Sequence, residues 1–313
     1  MKRVILLTYC VVFSFALQAQ ELPLLSQRIF DAQYINPGVV GARELMEVTA
    51  HHRSQWVGFA GAPHTQVVSV NAPVGKRLGL GGFAVNDIAG PSRNLGFGLT
   101  YAYHLGFKKY NIGLGISAGL MRYQFDGGML NMPDVGDPLW TGALLSSSWT
   151  PEFSVGAFSY NKRRYFGLSF AQLINIMHST VGQLELQPNQ RAHFIAGYDI
   201  IHEKQMVLTP SLFLTASLQA NFTAEAGITA SVYEILIAGV YYRYNDAFVA
   251  MVGAKMLKNI SVVYSYDYVY TGAGLLSGGS HEVVVQVAFN ARQQRVCPVY
   301  KKILDKKRRT WKY

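Results

Sequence analysis

The stretch LGFGLTYAYHL, from Leu95 to Leu105, alternates large apolar side chains with small or polar ones. One face carries Leu95, Phe97, Leu99, Tyr101, Tyr103 and Leu105, and the other carries Gly96, Gly98, Thr100, Ala102 and His104. Because successive side chains of a strand point to opposite faces, this period of two predicts a β-strand. A soluble β-sandwich would alternate similarly. The length, close to the roughly 9–11 residues of a tilted spanning strand, and the tyrosines near the ends favour a membrane strand.

Similar runs recur through the chain, beginning near residues 45, 65, 78, 95, 112, 152, 164, 192, 206, 220, 233, 247, 259 and 281. Every second connection between them is short, as in PVGKR, FKK, NKR, IHEKQ, ASV and MLK. Outer-membrane barrels have short periplasmic turns and longer outer loops. We therefore predict an all-β fold, a single transmembrane antiparallel up-and-down β-barrel of about 14 strands over residues 45–289.

The N-terminus has the layout of a secretory signal peptide. Lys2 and Arg3 precede an apolar run from Val4 to Leu17, followed by QAQ. We predict a signal peptide over 1–19, cleaved after Ala19, because the run is shorter than the roughly 20 residues of a spanning helix. Residues 20–44 are then expected to form a periplasmic segment, with both termini periplasmic. Export also excludes nucleic acid as a partner.

The positive charge of the chain, +10 in total, is concentrated in a basic C-terminal tail over 290–313 and in the short turns. A solvated rim is one interpretation. The other is a docking face for an acidic periplasmic partner or for anionic lipid head groups. The candidate docking residues are Lys108, Lys109, Lys162, Arg163, Arg164, Lys301, Lys302, Lys306, Lys307, Arg308 and Arg309.

Motifs of catalysis and metal binding are missing from the sequence, which predicts a non-enzymatic protein without cofactor or metal. His51 and His52 are adjacent on a strand and would face opposite sides. Asp134 and Asp137 provide too few oxygens for Ca²⁺. The single cysteine left after cleavage, Cys297, excludes an intramolecular disulfide and a cysteine-based metal site.

Small residues line the expected lumen face of the fourth and fifth strands, namely Gly96, Gly98, Ala102, Gly113, Gly115, Ser117 and Gly119. Glycine inside strands often marks the close approach of another backbone. We predict that a loop or the N-terminal segment packs into the lumen there. The alternative is a water-filled channel lined by small residues.

The first outer connection lies within QWVGFAGAPHTQ, residues Gln55 to Gln66, and is neutral and aromatic. We predict that this loop folds inward, with Trp56 and Phe59 against the glycine-lined wall. An interfacial anchor in lipid is the alternative. The candidate plug motif is Trp56, Gly58, Phe59, Gly61, Ala62, Pro63 and Thr65.

Several motifs, QYINP, WVGFAGAPHT, YAYHL, GDP, SYD, GSHEV and CP, occur in an order that resembles the PorP/SprF family, most closely its PorP branch. The resemblance implies an outer-membrane component of type IX secretion and gliding motility, without catalytic residues. It also implies partners: outer-membrane lipid, a periplasmic ring lipoprotein, peptidoglycan-binding components and C-terminal domains of secreted cargo. Besides the tryptophan motif, the family pattern falls on Asn36, Pro37, Ser280, His281 and Glu282. A plugged channel or transporter for small or hydrophobic solutes is the alternative function.

Overall fold

A computed structural model describes residues 25–43, 45–129, 145–173, 179–181, 184–186, 190–203, 205–217, 222–257 and 259–290. The signal peptide, residues 134 and 137, Lys204, Lys258 and the tail over 291–313 lie outside these ranges. Fourteen antiparallel strands close into one barrel, which confirms the predicted fold class and strand count. Among the described residues, none forms a helix that is long and apolar enough to cross a membrane.

The strands follow the chain in order around the barrel. They are β1 Leu45–Ser54, β2 His64–Val74, β3 Leu78–Ala89, β4 Ser92–Gly106, β5 Asn111–Asp126, β6 Leu145–Tyr160, β7 Arg164–Ala171, β8 Arg191–Tyr198 continued by Ile201–Glu203, β9 Met206–Ser217, β10 Phe222–Val232, β11 Leu236–Arg243, β12 Ala247–Lys255, β13 Ile260–Val269 and β14 Ser280–Asn290. Pairing of β14 with β1 closes the ring. A separate hairpin joins Ser179–Val181 and Leu184–Leu186.

The barrel has two distinct ends. We call the end that holds residues 75–77, 107–110, 161–163 and 233–235 the turn end, and the opposite end, which holds residues 55–63 and 270–279, the loop end. The pattern of outer-membrane barrels predicts that the turn end is periplasmic. Strand β1 begins at the turn end, directly after the N-terminal segment.

Three strand starts differ from the sequence-based expectation, and the first is β4, which begins at Ser92 rather than near 95 because Ser92–Asn94 continue the pairing with β3. β6 begins at Leu145 rather than near 152, because its polar SSSW stretch continues the antiparallel pairing with β5. β11 begins at Leu236 rather than near 233, because Tyr233 and Glu234 adopt left-handed backbone angles, with φ of 50° and 62°. Two such residues make the tight turn that joins twisted antiparallel strands.

Alternation divides the strands into a lipid-facing and a lumen-facing side as expected. The apolar face of β4 is exposed on the barrel exterior, whereas Gly96, Gly98 and Ala102 face inward. Exposed aromatic rings lie on the exterior near both ends: Tyr242 packs on Phe248 at the loop end, and Phe107 stacks on Tyr110 at the turn end. Such girdles are typical of membrane barrels.

The N-terminal segment lies inside the barrel. The sequence predicts a periplasmic segment over 20–44, whereas the residues of its described part, Leu25–Arg43, are buried or half-buried within the lumen. Two short 3₁₀ helices, Ala32–Tyr34 and Pro37–Val39, fold it compactly. We call Leu25–Arg43 the plug. Its apolar side chains, including Phe30 and Val39, share one buried cluster with wall residues such as Phe158 and Phe213, which explains why it is not in water.

Candidate functional site

The glycine-lined wall receives the plug through backbone contact. A Cβ added at Gly115 would overlap the backbone of Pro37, one at Gly113 would overlap the carbonyl of Gly38, and one at Gly79 would overlap Val40. Glycine is required at these positions because any side chain would occupy the space of the plug backbone. Of the two segments predicted to fill the lumen, the structure therefore places the N-terminal segment against Gly79, Gly113 and Gly115.

Asn36, one of the residues carried over from the family pattern, fixes the middle of the plug. Its Oδ1 accepts the N–H of Gly38 at 2.9 Å, and its Nδ2 donates to the carbonyls of Ala157 at 3.0 Å and Leu168 at 3.3 Å. The side chain thus caps the Pro37–Val39 helix and bridges it to two wall strands. The buried amide group of Asn36 uses both its oxygen and its nitrogen in hydrogen bonds. Any shift of the plug would break some of them, so they fix one position of the plug.

Further polar contacts extend this attachment around the wall. Ser169 Oγ donates to the carbonyl of Ile35 at 2.7 Å, and His104 Nε2 lies 2.7 Å from the carbonyl of Val40. The N–H of Gly41 donates to Asn71 Oδ1 at 2.8 Å. Wall side chains therefore form the hydrogen bonds with plug backbone groups that water would otherwise form.

An ionic cluster holds the first residues of the plug in the loop-end half of the lumen. Its members are Arg28 of the plug and Arg53, Arg243, Glu225, Asp267 and Glu282 of the wall. Arg243 Nε lies 2.7 Å from Glu225 Oε2, and Arg53 Nη2 lies 2.9 Å from Asp267 Oδ2. All six side chains are buried. Burying charges is costly unless each is paired, and here the three arginines and three carboxylates compensate one another.

The plug completes this cluster. The Ser26 hydroxyl donates to Asp267 Oδ2 at 2.7 Å and accepts from Arg53 Nη1 at 2.7 Å and from Arg243 Nη2 at 2.8 Å. Glu282 accepts the backbone N–H groups of Ser26 at 2.7 Å and Gln27 at 3.2 Å. Without the plug, Arg53 and Arg243 would lose the Ser26 hydroxyl as an acceptor, and Glu282 would lose two backbone N–H donors. These buried hydrogen bonds therefore stabilise the conformation in which the plug occupies the lumen.

A second charged contact lies beside this cluster. His51 Nδ1 lies 3.2 Å from Glu282 Oε1, and His51 Nε2 lies 3.7 Å from Asp31 Oδ2 of the plug. Burial raises the pKa of the Asp31 carboxyl, and His51 opposes that shift. As predicted, His51 and His52 point to opposite sides, His51 into the lumen and His52 to the exterior.

The tryptophan motif does not occupy the lumen wall as expected. Phe59 is 41% exposed, and the Trp56 ring lies against Gly274 in the Gly272–Leu276 helix of the neighbouring outer loop. The backbones of these loops are also joined, since Val57 N–H donates to the Gly279 carbonyl at 2.9 Å and accepts from Gly278 N–H at 2.7 Å through its carbonyl. At Gly113 and Gly115 the plug backbone, rather than this loop, contacts the glycine-lined wall.

The remaining motif residues shape this loop and its junction with β2. Gly58 and Gly61 adopt left-handed angles, with φ of 101° and 74°, that favour glycine. Pro63 ends the loop before β2 begins, and Thr65 faces inward and donates to Asp87 Oδ1 at 2.6 Å. The motif therefore builds a fixed pair of outer loops.

The described candidate docking residues lie together at the turn end. They are Lys108, Lys109, Lys162, Arg163 and Arg164, all exposed, and Lys76 and Arg77 lie at the same end. The tail candidates Lys301, Lys302, Lys306, Lys307, Arg308 and Arg309 are outside the described residues. Like-charged side chains on adjacent turns produce a positive surface at this end of the barrel.

Two further histidines, His193 and His281, contact neighbouring hydroxyl groups. His193 Nδ1 lies 3.0 Å from the Thr215 hydroxyl, and His281 Nδ1 lies 2.6 Å from the Tyr264 hydroxyl. The sequence did not single out Ser54, whose Oγ lies 3.1 Å from His64 Nδ1 on the barrel exterior. Within the described part of the chain, no three histidine, cysteine, aspartate or glutamate side chains are grouped to hold a metal ion.

Comparison with known families matches residues 17–287 to the family described as "Type IX secretion system membrane protein PorP/SprF". A search of curated proteins finds no match. Similar solved structures include a Pseudomonas aeruginosa FadL homologue (12% identity, TM-score 0.47, covering 83% of this chain and 94% of that one) and the CymD monoaromatic hydrocarbon channel (12%, 0.47, 87% and 94%). Acinetobacter baumannii outer membrane protein Omp33 is a third (10%, 0.45, 80% and 99%). The matched family is one of secretion-system membrane proteins.

Proposed function

The chain belongs to the PorP/SprF family of type IX secretion system membrane proteins and forms an outer-membrane β-barrel; from that premise we propose that it links the outer membrane to the periplasmic parts of the secretion machinery. In this role it assists the export or surface attachment of cargo proteins. The family match over residues 17–287 carries the proposal. The protein acts by binding other proteins. Its proposed partners are a periplasmic ring lipoprotein, peptidoglycan-binding components and the C-terminal domains of cargo proteins.

The filled lumen supports a role in binding rather than conduction. The plug contacts the wall through backbone at Gly113 and Gly115 and through buried ion pairs at Arg28. A folded or extended cargo chain would need the same space. Cargo is therefore expected to contact the outer loops or the turns rather than pass through this barrel.

The positive turn end supports the proposed periplasmic contact. Exposed lysines and arginines on several turns, such as Lys108 and Arg163, would attract an acidic partner and orient it on the barrel. The sequence places nine more basic residues after Asn290, where β14 ends at the same side. A partner with a negative surface fits both features.

Purification in mild detergent of the full chain, of a chain without residues 291–313, and of a triple variant at the turn end tests the proposal. The triple variant is Lys162→Gln, Arg163→Gln and Arg164→Gln. Both altered chains are expected to retain less of the periplasmic components while the barrel stays folded. Arg93→Gln, an exposed change near the loop end, is the control and should retain them fully.

Deletion of the gene separates secretion from solute transport. The proposal predicts that cargo disappears from the cell surface while permeability to small solutes stays normal. Normal cargo together with lost uptake of a small or hydrophobic solute would instead support a transporter. Unchanged retention of periplasmic components by both altered chains would contradict the docking role.

A further inference from the structure

The plug leaves a gap on the side of the lumen away from the glycine-lined wall. A cavity of about 110 Å³ lies there between the plug and strands β6 to β11. It is lined by Ile29, Phe30 and Val39 of the plug and by Phe158, Ile195 and Phe213 of the wall. We call it the turn-end cavity. Barrel lumens are usually polar, so an apolar cavity of this kind requires an explanation.

The cavity lies towards the turn end of the barrel. Val207 and Ile237, which also line it, are the second residues of β9 and β11 at that end, and both are only half-buried although they face inward. Their inward-facing apolar surface is therefore only partly covered by protein at the turn end of the lumen. Such a surface is favoured as a binding site, because covering it removes apolar area from water.

The lining indicates an uncharged ligand. Among the described lining residues, Arg43 is the charged one, and its Nη1 is already paired with Glu47 Oε1 at 2.9 Å. The other polar lining groups are hydroxyls, such as those of Thr209 and Thr229, which already contact Asp199 and Tyr241. A ligand with a charged group inside the cavity would lack a counter-charge.

The volume limits the size of that ligand. An engineered apolar cavity of about 150 Å³ in another protein stays dry and binds benzene. The turn-end cavity is of the same order, so one aromatic ring or the last carbons of an acyl chain would fit. Water binds weakly in such a cavity because a buried water molecule needs two to four polar partners.

We propose that the turn-end cavity binds an uncharged hydrocarbon group, an aromatic ring or the end of an acyl chain, and thereby fastens the plug to the wall. The ligand would contact Ile29 and Phe30 on one side and Phe158 and Phe213 on the other. Because it binds only when the plug is in place, ligand at about a hundred times its Kd lowers the population of plug-out conformers about a hundredfold. This site is independent of the proposed role in secretion.

Titration of the purified full chain in amphipol with fluorobenzene tests the proposal. We expect saturable binding of one molecule per barrel, observed by ¹⁹F NMR. Val207→Phe fills the cavity and should weaken binding at least tenfold. The matched control, Val252→Phe, makes the same change on the lipid-facing surface, where Val252 is 60% exposed, and should bind as the native chain does.

A separate measurement tests whether ligand binding in the cavity holds the plug against the wall. A cysteine at Gln33, in a chain without other cysteines, reports plug exposure through its rate of maleimide labelling, because Gln33 is buried. Saturating fluorobenzene should slow this labelling in the native cavity and leave it unchanged in the Val207→Phe chain. If Val207→Phe does not fold, Ile237→Ala is used in its place. This substitution enlarges the cavity, so the variant should bind the larger ligand p-xylene more tightly than the native chain does.

The source of the hydrocarbon is distinguished by extraction. An acyl lipid recovered in equimolar amount from the native chain, absent from Val207→Phe and displaced by fluorobenzene, identifies a lipid source. Direct saturable binding to a chain without such a lipid identifies a free small molecule. Non-saturable uptake that is equal in the native chain and both valine variants overturns the proposal.

Discussion

Single glycines determine whether the plug can reach the wall. We predict that Gly115→Ala displaces the plug, because the new Cβ would overlap the backbone of Pro37, which cannot move as a flexible side chain can. Overpacking of this kind costs about 1–3 kcal/mol. The measurement is the maleimide labelling rate of a cysteine placed at Gln33, which should rise about tenfold or more.

Gly96→Ala is the control for this substitution. Gly96 faces the same lumen, but the nearest obstacle to a Cβ there is the sulfur end of Met121, which can change rotamer. Its labelling rate should stay close to that of the native chain. Equal rates for Gly115→Ala and the native chain would show that the plug does not depend on the glycine contact.

A second prediction concerns Glu282, a carboxylate on which wall and plug converge. Glu282→Gln leaves Arg53 without part of its compensation and weakens the acceptor for Ser26 and Gln27. Breaking a buried ion pair on one side costs about 3–5 kcal/mol. We expect faster labelling of the same cysteine and a lower urea midpoint.

Lys109→Gln, a charge-removing change at an exposed position in the turn between β4 and β5, is the comparison for Glu282→Gln. Surface substitutions usually change stability by less than about 0.5 kcal/mol. If the two variants unfold at the same urea concentration, the ionic cluster contributes nothing to plug retention.

Among the elements, the strands follow from the sequence and the plug does not. Alternation assigns Glu225 and Asp267 to the lumen face, and Val263 on the same face is buried in the lumen cluster. The plug has no such period. Its position depends on contacts such as that between Ser26 and Glu282, 256 residues apart in the chain, which no local pattern contains.

The same reason explains why the tryptophan loop lies at a position other than the predicted one. Neutral, aromatic composition favours burial, but the sequence does not show whether the lumen or a neighbouring loop supplies it. Gly113 and Gly115 of β5 correctly indicated an approaching backbone, whereas Gly96 and Gly98 of β4 meet wall side chains, and two segments could have provided that backbone. Only the fold shows that Leu25–Arg43 takes that position and that Trp56 packs on Gly274 instead.

We predict that Trp56→Ala loosens both outer loops without opening the lumen. Removing the indole leaves Gly274 without its contact, while the plug contacts stay intact. Limited proteolysis should cleave within residues 55–63 and 270–279 several-fold faster. Phe59→Ala, at a 41% exposed position, should change these rates little. New ion conductance in Trp56→Ala would contradict this account, because it would make the loop part of the closure.

In the whole molecule, three features combine: a closed barrel, a lumen occupied by its own N-terminal segment, and a positive turn end. Together they describe an outer-membrane barrel on which the proposed partners would bind at the ends rather than in the lumen. The closed barrel and the location of the basic turns follow from the sequence pattern. The filled lumen depends on packing and charge pairing across the interior, and it is the feature on which the proposed binding role depends.

Single-channel conductance in planar bilayers tests the filled lumen most directly. The native chain is compared with one lacking residues 25–40 and, in case that deletion prevents folding, with Gly115→Val. We predict almost no current through the native barrel and stable open channels in at least one altered chain. A large, steady current through the native chain would contradict the conclusion that the plug closes this barrel.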